Sequence, residues 1–424
     1  MSLPRFLRSA FPGHEIFEFK EWLGDQKLGV WLRAQEGLDA SCHRCRSKLR
    51  LQGSSYLQKI QCMPILGMQV FATLIRRRGH CGKCKKSRAE WVEWIAEETP
   101  HLTDDYAHWL GRLVEFSPVS RAAEFMGIDS MTLWRVDLAQ MKARLQNYKI
   151  PPVTQISVDE VYVVRKQKGV SLPREKRFFT VISDLKTRKV IWVSEGRSKA
   201  ALDQFYVLLG KEACEKIEAV AMDQFDGFSA STREHCPKAT IVWDRFHLMQ
   251  NLGELINQTR MRLHEELLKG SEMHRLTRGR NKYIFLKKES RRSPSEKRLI
   301  EDVTKENEYF LRLELIKERM FQFFSAQTEE EAKTIFEEVG EWIYRSGFLD
   351  LIEWHKRLEA SWSTLKNYFR HRITTALSEA TNNVIKALIR RAYGYRNMEY
   401  FRLKIMQVCG YLNSKFCPLM KSSS

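Results

Sequence analysis

Two cysteine pairs constrain this chain more than any other feature. Cys42-x-x-Cys45 and Cys81-x-x-Cys84 each place two thiols in one tight turn. A two-residue gap lets both thiolates of a turn face one metal, and two such knuckles complete a tetrahedral zinc site. The 35 residues between the pairs carry strand-like runs, and 28–34 and 69–75 read as strands, so a small sheet is expected to bring the knuckles together. A redox role for a CxxC expects a βαβ setting, which the surrounding residues lack. Cys62, in KIQCMPIL, reads as a core residue, and His80 beside Cys81 is a spare ligand. Residues 1–98 are therefore expected to form a zinc-binding β module. Arg76, Arg77, Arg78, Lys83, Lys85, Lys86 and Arg88 read as a basic rim around the second knuckle.

Charge narrows the partner. The 424 residues carry 71 Lys+Arg against 52 Asp+Glu, a net charge of +19. A balance this basic favours a polyanion, and nucleic acid is the default because neutralised phosphates release condensed counterions. No stretch is apolar enough to span a bilayer, so no membrane role is expected. The basic N-terminus lacks a following apolar run, which argues against a secretory leader and for a cytoplasmic protein. A chain of this length accommodates several domains.

Residues 99–150 read as a helical DNA-binding domain. Within 118–135, Ala122 and Ala123 permit a close helix crossing, Gly127 supplies a turn, Ile128 points inward, and Asp129 or Ser130 caps the next helix. That is a helix-turn-helix pattern, although an ordinary helical hairpin shares it. Its second helix would offer Ser130, Met131, Thr132 and Arg135 to a major groove.

Pro151-Pro152 ends the helical stretch. From 153 to 244 strands alternate with helices, and three strands carry aspartates. Asp159 interrupts the apolar run 155–164, Asp223 follows 218–222, and Asp244 follows 240–243. A carboxylate inside a central strand is costly unless paired or bound to metal, and ligands of open α/β sheets collect at strand ends. Asp184 reads as a turn residue. From 246 to about 410 the pattern is almost wholly helical, with breaks at 289–297 and at Ser346-Gly347. Far downstream, Glu379, Asn383, Lys386 and Arg390 share one helix face.

These residues resemble the ISL-three family of bacterial insertion-sequence transposases over nearly the whole chain. The resemblance rests on the paired CxxC motifs, the helix-turn-helix pattern, Asp159-Glu160, Asp223, the run Asp244-Arg245-Phe246-His247, and Glu379 with Asn382-Asn383. The run from Arg390-Arg391 to Arg396-Asn397 is the most specific piece. It implies an α+β multidomain protein: the zinc-binding β module, the helix-turn-helix, and an RNase H-like α/β catalytic core with a helical insertion. The core would comprise 151–248 and 371–417, interrupted by 249–370. The resemblance further implies that Asp159, Asp223 and Glu379 are catalytic and hold Mg²⁺ or Mn²⁺, while Cys42, Cys45, Cys81 and Cys84 hold Zn²⁺. Ser130, Thr132, Arg135, Arg245, His247, Asn383, Lys386, Arg390 and Arg391 would contact DNA. The partners implied are double-stranded DNA, as terminal inverted repeats and as target, and a second copy of the chain. Asp226 is a rival for the second carboxylate, and the hairpin 166–177 is longer and more charged than the pattern expects. Trp342, Trp354 and Trp362 read as core. Arg275, Arg278, Arg280, Lys282, Lys287 and Lys288 form a candidate DNA-facing patch. A DNA-binding regulator derived from such an enzyme and a structure-specific nuclease are the competing readings.

Overall fold

The computed structural model describes residues 9–163, 173, 177–267, 269–373, 376–392 and 394–416. The chain forms two compact units, one of 1–149 with 397–424 and one of 150–396.

The first unit begins with a five-stranded sheet. Its strands are β1 (His14–Trp22), β2 (Lys27–Ala34), β3 (Leu49–Ile65), β4 (Met68–Cys81) and β5 (Lys86–Ala89), in the order β1-β2-β4-β3 with β5 also on β4. Alternate residues of β4, namely Val70, Ala72 and Leu74, enter a core with Val30, Leu32 and Ile60, as the two-residue strand period requires. Cys62 is buried in that core. Part of the expected basic rim is not a rim. Arg76 continues the inward row of β4, 8% exposed, and donates to the Glu90 carbonyl and the Gln58 side chain. Arg77 is paired to the buried Glu90 carboxylate at 2.6 Å.

Three helices follow: α1 (Asp104–Phe116), α2 (Val119–Met126) and α3 (Ser130–Asn147). Gly127 closes α2 at φ +61, a conformation that favours glycine. Asp129 caps α3 by accepting from the Thr132 N–H at 2.8 Å. Ala122 and Ala123 pack against Leu110, Val114, Leu133 and Val136, with Ile128 partly buried beside them.

The helix Met398–Cys409 also belongs to this unit. Its Lys404 ammonium donates to Asp137 on α3 and to the Val114 carbonyl on α1, at 2.9 and 2.7 Å. Tyr400 donates to the same Asp137 carboxylate at 2.6 Å. The stretch 371–417, expected to stay with the catalytic core, therefore divides after Arg396, because buried charges tie its last helix to α1 and α3.

The second unit is built on a five-stranded sheet of β6 (Gln155–Tyr162), β7 (Phe178–Asp184), β8 (Lys189–Glu195), β9 (Ala219–Met222) and β10 (Thr240–Trp243), in the order β10-β9-β6-β7-β8. β6, β7 and β8 run antiparallel, while β9 and β10 run parallel to β6. Helix α4 (Lys199–Leu209) packs on β8 and on α5 (Asp226–His235). Helix α6 (Arg245–Glu266) leaves β10 and runs unbroken across the expected boundary at 248/249. It enters a helical layer made by α7 (Pro294–Glu306), α8 (Glu308–Phe323), α9 (Glu329–Ser346) and α10 (Leu349–Ala360). Val242, Leu252, Phe310, Phe323, Phe336 and Trp354 share the core of this layer, with Trp342 and Trp362 packed against it. Both expected breaks have a local cause: a capping box at Ser293 and Glu296 starts α7, and Gly347 at φ +71 ends α9. The chain returns to the sheet where Asn367 donates to the Ile241 carbonyl at 2.9 Å. Helix α11 (Ala376–Arg391) then packs on β6. The hairpin 166–177 lies outside the described residues except 173 and 177. Among the described residues no helix is long and apolar enough to cross a membrane.

Candidate metal and catalytic sites

The four cysteines converge as their spacing requires. Their sulfurs all lie within 4.8 Å of one another, with Cys45 to Cys81 at 3.4 Å and Cys45 to Cys84 at 3.5 Å. A zinc tetrahedron with bonds of about 2.3 Å has edges of roughly 3.8 Å, so the cluster fits zinc. The two knuckles share one backbone design. The residue after each second cysteine, Arg46 or Lys85, takes a positive φ of 60 or 51. Its N–H donates to the carbonyl of the first cysteine, at 2.9 and 2.7 Å. The Cys84 N–H also points to the Cys81 sulfur at 3.3 Å. The Ser47 side chain and then its backbone lower the Cys45 thiol, while hydrogen bonding to Cys45 and burial raise Cys84, so the cluster favours a thiolate at Cys45 and a thiol at Cys84.

The second unit carries a row of aspartates. Val158 of β6 stands opposite Met222 of β9, and Met222 stands opposite Trp243 of β10. Asp159, Asp223 and Asp244 are each the next residue, so three adjacent parallel strands present a carboxylate at one level of the sheet. Asp159 is 6% exposed. It accepts from the Glu160 N–H at 2.7 Å and from the Asn382 side chain of α11 at 2.8 Å. Burial raises the Asp159 carboxyl above its ordinary range, and burial also lifts neighbouring Glu160 to about 7. Arg197, in the turn after β8, pairs with Glu160 at 2.8 Å and reaches Asp223 at 4.0 Å. Its guanidinium lies over the Phe225 ring, 4.8 Å from the centroid.

Asp244 has two tasks. It caps α6 through the Phe246 N–H at 3.1 Å and holds His247 Nδ1 at 2.8 Å. The Asp244 carboxylate beside it raises the imidazole to about 9, against the desolvation that opposes it, which favours the cationic form of His247 at neutral pH beside the carboxylate row.

Glu379 lies in the first turn of α11 and is exposed. Asn382, one turn further along, makes the bond to Asp159. Among the described residues the four cysteines close up within ligand distance of one another, and Asp159, Asp223 and Glu379 do not. Asn383, Lys386, Arg390 and Arg391 are exposed along α11. Ser130, Met131 and Arg135 are exposed on α3, while Thr132 is half-buried and bonded to Asp129. Arg245 is half-buried over the Phe324 ring. Asp226 begins α5 and is exposed, and Asp184 closes a turn through Lys186 and Thr187. In the expected basic patch, Lys287 pairs with Glu296, and the side chains of Arg280 and Lys282 lie outside the described residues. Sequence reasoning missed Arg197 and the part played by Asn382. The adjacent Asn382-Asn383 pair was the available signal for the latter.

Comparison with known proteins gives the family. The model of a transposase family, the ISL3 type of DDE transposase, matches residues 156–405, from β6 into the last helix. The transposase for insertion sequence element IS1001 of Bordetella parapertussis is 26% identical over 388 residues, covering 91% of this chain and 93% of that protein. The transposase for insertion sequence element IS1557 of Mycobacterium tuberculosis is 24% identical over 249 residues, 54% of this chain and 56% of that protein. With more than half of its residues inside the family match, the chain belongs to the ISL3 family of DDE transposases.

Proposed function

We propose that the chain cuts and joins DNA at the ends of its own insertion sequence, with Asp159, Asp223 and Glu379 as the catalytic carboxylates of an RNase H-like core. The observation that carries this reading is the alignment of Asp159 and Asp223 on neighbouring strands, with α11 docked on Asp159 through Asn382. Glu379 sits one turn from that dock. Asp159, Asp223 and Glu379 offer oxygen donors only, the kind of ligand that suits a hard divalent cation. Mg²⁺ or Mn²⁺ held by these carboxylates would supply the positive charge that an in-line phosphodiester displacement needs.

The chain's own groups do the rest. Asn382 fixes the Asp159 carboxylate, and Arg197 spans Glu160 and Asp223. His247, held cationic by Asp244, offers an N–H to a DNA phosphate. Lys386, Arg390 and Arg391 give α11 a basic stripe for the DNA backbone. Water attacks the phosphodiester at the element's end and releases a 3′-hydroxyl; that hydroxyl then attacks a target phosphodiester in the same site and displaces the target strand's own 3′-hydroxyl. Helices α2 and α3 form the helix-turn-helix that reads the terminal repeats through Ser130, Thr132 and Arg135, and the zinc module braces that unit. Pairing two DNA ends calls for at least a dimer.

The test is cleavage and strand transfer on duplexes carrying the element's ends, in Mg²⁺ or Mn²⁺. Metal-dependent nicking and joining at the ends support the reading. Tight end binding without cleavage would make the protein a regulator, and cleavage that ignores the end sequence would make it a nuclease.

A further inference from the structure

Each aspartate of the row is held by the same pair of contacts. One carboxylate oxygen, Oδ1, accepts from a backbone N–H just ahead in the chain: Glu160 for Asp159 and Gln224 for Asp223, both at 2.7 Å, and Phe246 for Asp244 at 3.1 Å. The other, Oδ2, faces a side-chain donor. For Asp159 it is Asn382 and for Asp244 it is His247, both at 2.8 Å. For Asp223 it is Arg197, whose Nη2 stands 4.0 Å away. Asp223 is thus the least tightly held of the three, and a nearby charge rather than a hydrogen bond faces its second oxygen.

Arg197 is itself built in. Its backbone is fixed between the Gly196 N–H, which donates to the Phe178 carbonyl at 2.8 Å, and Ser198, which caps α4 by accepting from the Ala201 N–H at 3.2 Å. Its guanidinium lies over two rings, 4.8 Å from the Phe225 centroid and 5.9 Å from that of Phe178. Gly227 makes room for the nearer ring, because a methyl there would stand 2.6 Å from Phe225 and 3.2 Å from the Lys199 backbone nitrogen. The other arm of the fork, Nη1, is spent on Glu160 at 2.8 Å. Consecutive strand residues point to opposite faces, so Asp159 and Glu160 serve different partners: Asp159 meets Asn382 and Glu160 meets Arg197.

We propose that Arg197 is a positioning residue for Asp223, and that Glu160 acts on the reaction through Arg197 and not as a ligand of the metal. This role rests on the reading of Asp223 as a catalytic carboxylate. A planar fork pinned at Glu160 and by two rings keeps Nη2 directed at Asp223, so it sets where that carboxylate lies before a metal arrives. Mg²⁺ demands near-ideal octahedral geometry, whereas the larger Mn²⁺ tolerates a displaced ligand. Loss of the guanidinium is therefore felt in the choice of metal and not in the binding of DNA.

The experiment uses the full-length, zinc-loaded protein and duplexes of the element's end, with R197Q, R197K, F225L and E160Q. Single-turnover cleavage is measured at saturating Mg²⁺ and at saturating Mn²⁺. Groups that orient a metal-holding carboxylate are worth about ten- to a hundredfold. R197Q is expected to lose at least about tenfold in Mg²⁺ and less than about threefold in Mn²⁺, with gel-shift binding of the ends intact. R197K keeps the charge without the fork, F225L keeps the fork without its platform, and both fall between wild type and R197Q. E160Q still offers an acceptor to Nη1 and shows the R197Q pattern weakly. A second readout needs no cleavage. On ends that terminate in a 3′-deoxy nucleotide, the EPR signal of free Mn²⁺ reports how readily Mg²⁺ displaces bound Mn²⁺, and this displacement is several-fold weaker in R197Q than in wild type. Equal losses in both metals, with a lower melting temperature in the absence of Mg²⁺ and Mn²⁺, would make Arg197 a brace of the fold and overturn the proposal. So would full cleavage in R197Q with none in E160Q, which would make Glu160 a ligand. A wild type that cleaves its ends in neither metal would instead overturn the underlying reading, and no variant is needed to see it.

Discussion

The buried pair Asp137–Lys404 should be the keystone between the last helix and the helical domain near the N-terminus. The Asp137 carboxylate is fully buried and takes hydrogen bonds from Lys404 at 2.9 Å, Tyr400 at 2.6 Å and Gln407 at 3.3 Å. Lys404 also donates to the Val114 carbonyl and to Gln407, both at 2.7 Å. Removing one partner of a buried pair costs roughly 3–5 kcal/mol, because the other charge stays behind. In Asp137→Ala the ammonium keeps two neutral acceptors, which points to the lower half, about 3–4 kcal/mol. For a unit of this size each kcal/mol moves the melting temperature by about 2–4 °C, so the expected drop is roughly 6–16 °C. Lys404→Met should lose a similar amount. The double variant Asp137→Leu/Lys404→Met leaves no stranded charge and should cost much less than the sum. Calorimetry on zinc-loaded protein reads all three, and a gel shift on the element's end shows whether end binding falls with the docked helix. A single-variant loss below about 1 kcal/mol, or a double variant that costs the full sum, would refute the reasoning.

Three further outcomes are expected. Metal analysis should find one zinc per chain, lost in Cys81→Ser, while Lys85→Gly keeps it because the position already adopts a glycine-favoured backbone; retention of zinc in Cys81→Ser would contradict the four-thiolate site. By NMR the His247 ring should titrate near 9 and return toward 6.5 in Asp244→Asn. The folded pKa is raised, so the pair's contribution to stability is complete below about pH 6.5 and is lost as pH rises through about 9; a contribution that grew with rising pH would have the wrong sign. Gly111→Ala should cost about 1–2 kcal/mol in denaturant unfolding, since the added methyl would displace Gln140 and break its bond to the Ala107 carbonyl. A neutral result there would mean that α1 and α3 separate freely.

Much of this was legible in the sequence, and the exceptions share a cause. The four-cysteine cluster, the span of α3 and the strand ends follow from local rules of spacing, caps and period. Arg76 and Arg77 misled because a basic residue on a strand looks the same whether it faces solvent or a buried Glu90. The docking of the last helix depends on a pairing across more than 260 positions, which no local pattern encodes. Lys404, set between Leu403 and Ile405-Met406, was the one hint. Asn382 rather than Asn383 meets Asp159, and neighbouring helical residues point about 100° apart, so only the docking of α11 on β6 selects between them. Arg197 escaped notice because its role arises from a turn that approaches two other strands.

The central claim is that Asp159, Asp223 and Glu379 act together on the phosphodiester, while Asp244 acts through His247. The direct measurement is the single-turnover rate of end cleavage in Mn²⁺ for Asp159→Asn, Asp223→Asn, Glu379→Gln and Asp244→Asn, with end binding checked in each. The account predicts that the first three abolish cleavage and keep binding, and that Asp244→Asn leaves a slowed but measurable rate. Cleavage surviving in Glu379→Gln, or vanishing in Asp244→Asn while Glu379→Gln still cuts, would contradict it and move the third carboxylate from α11 to the end of β10.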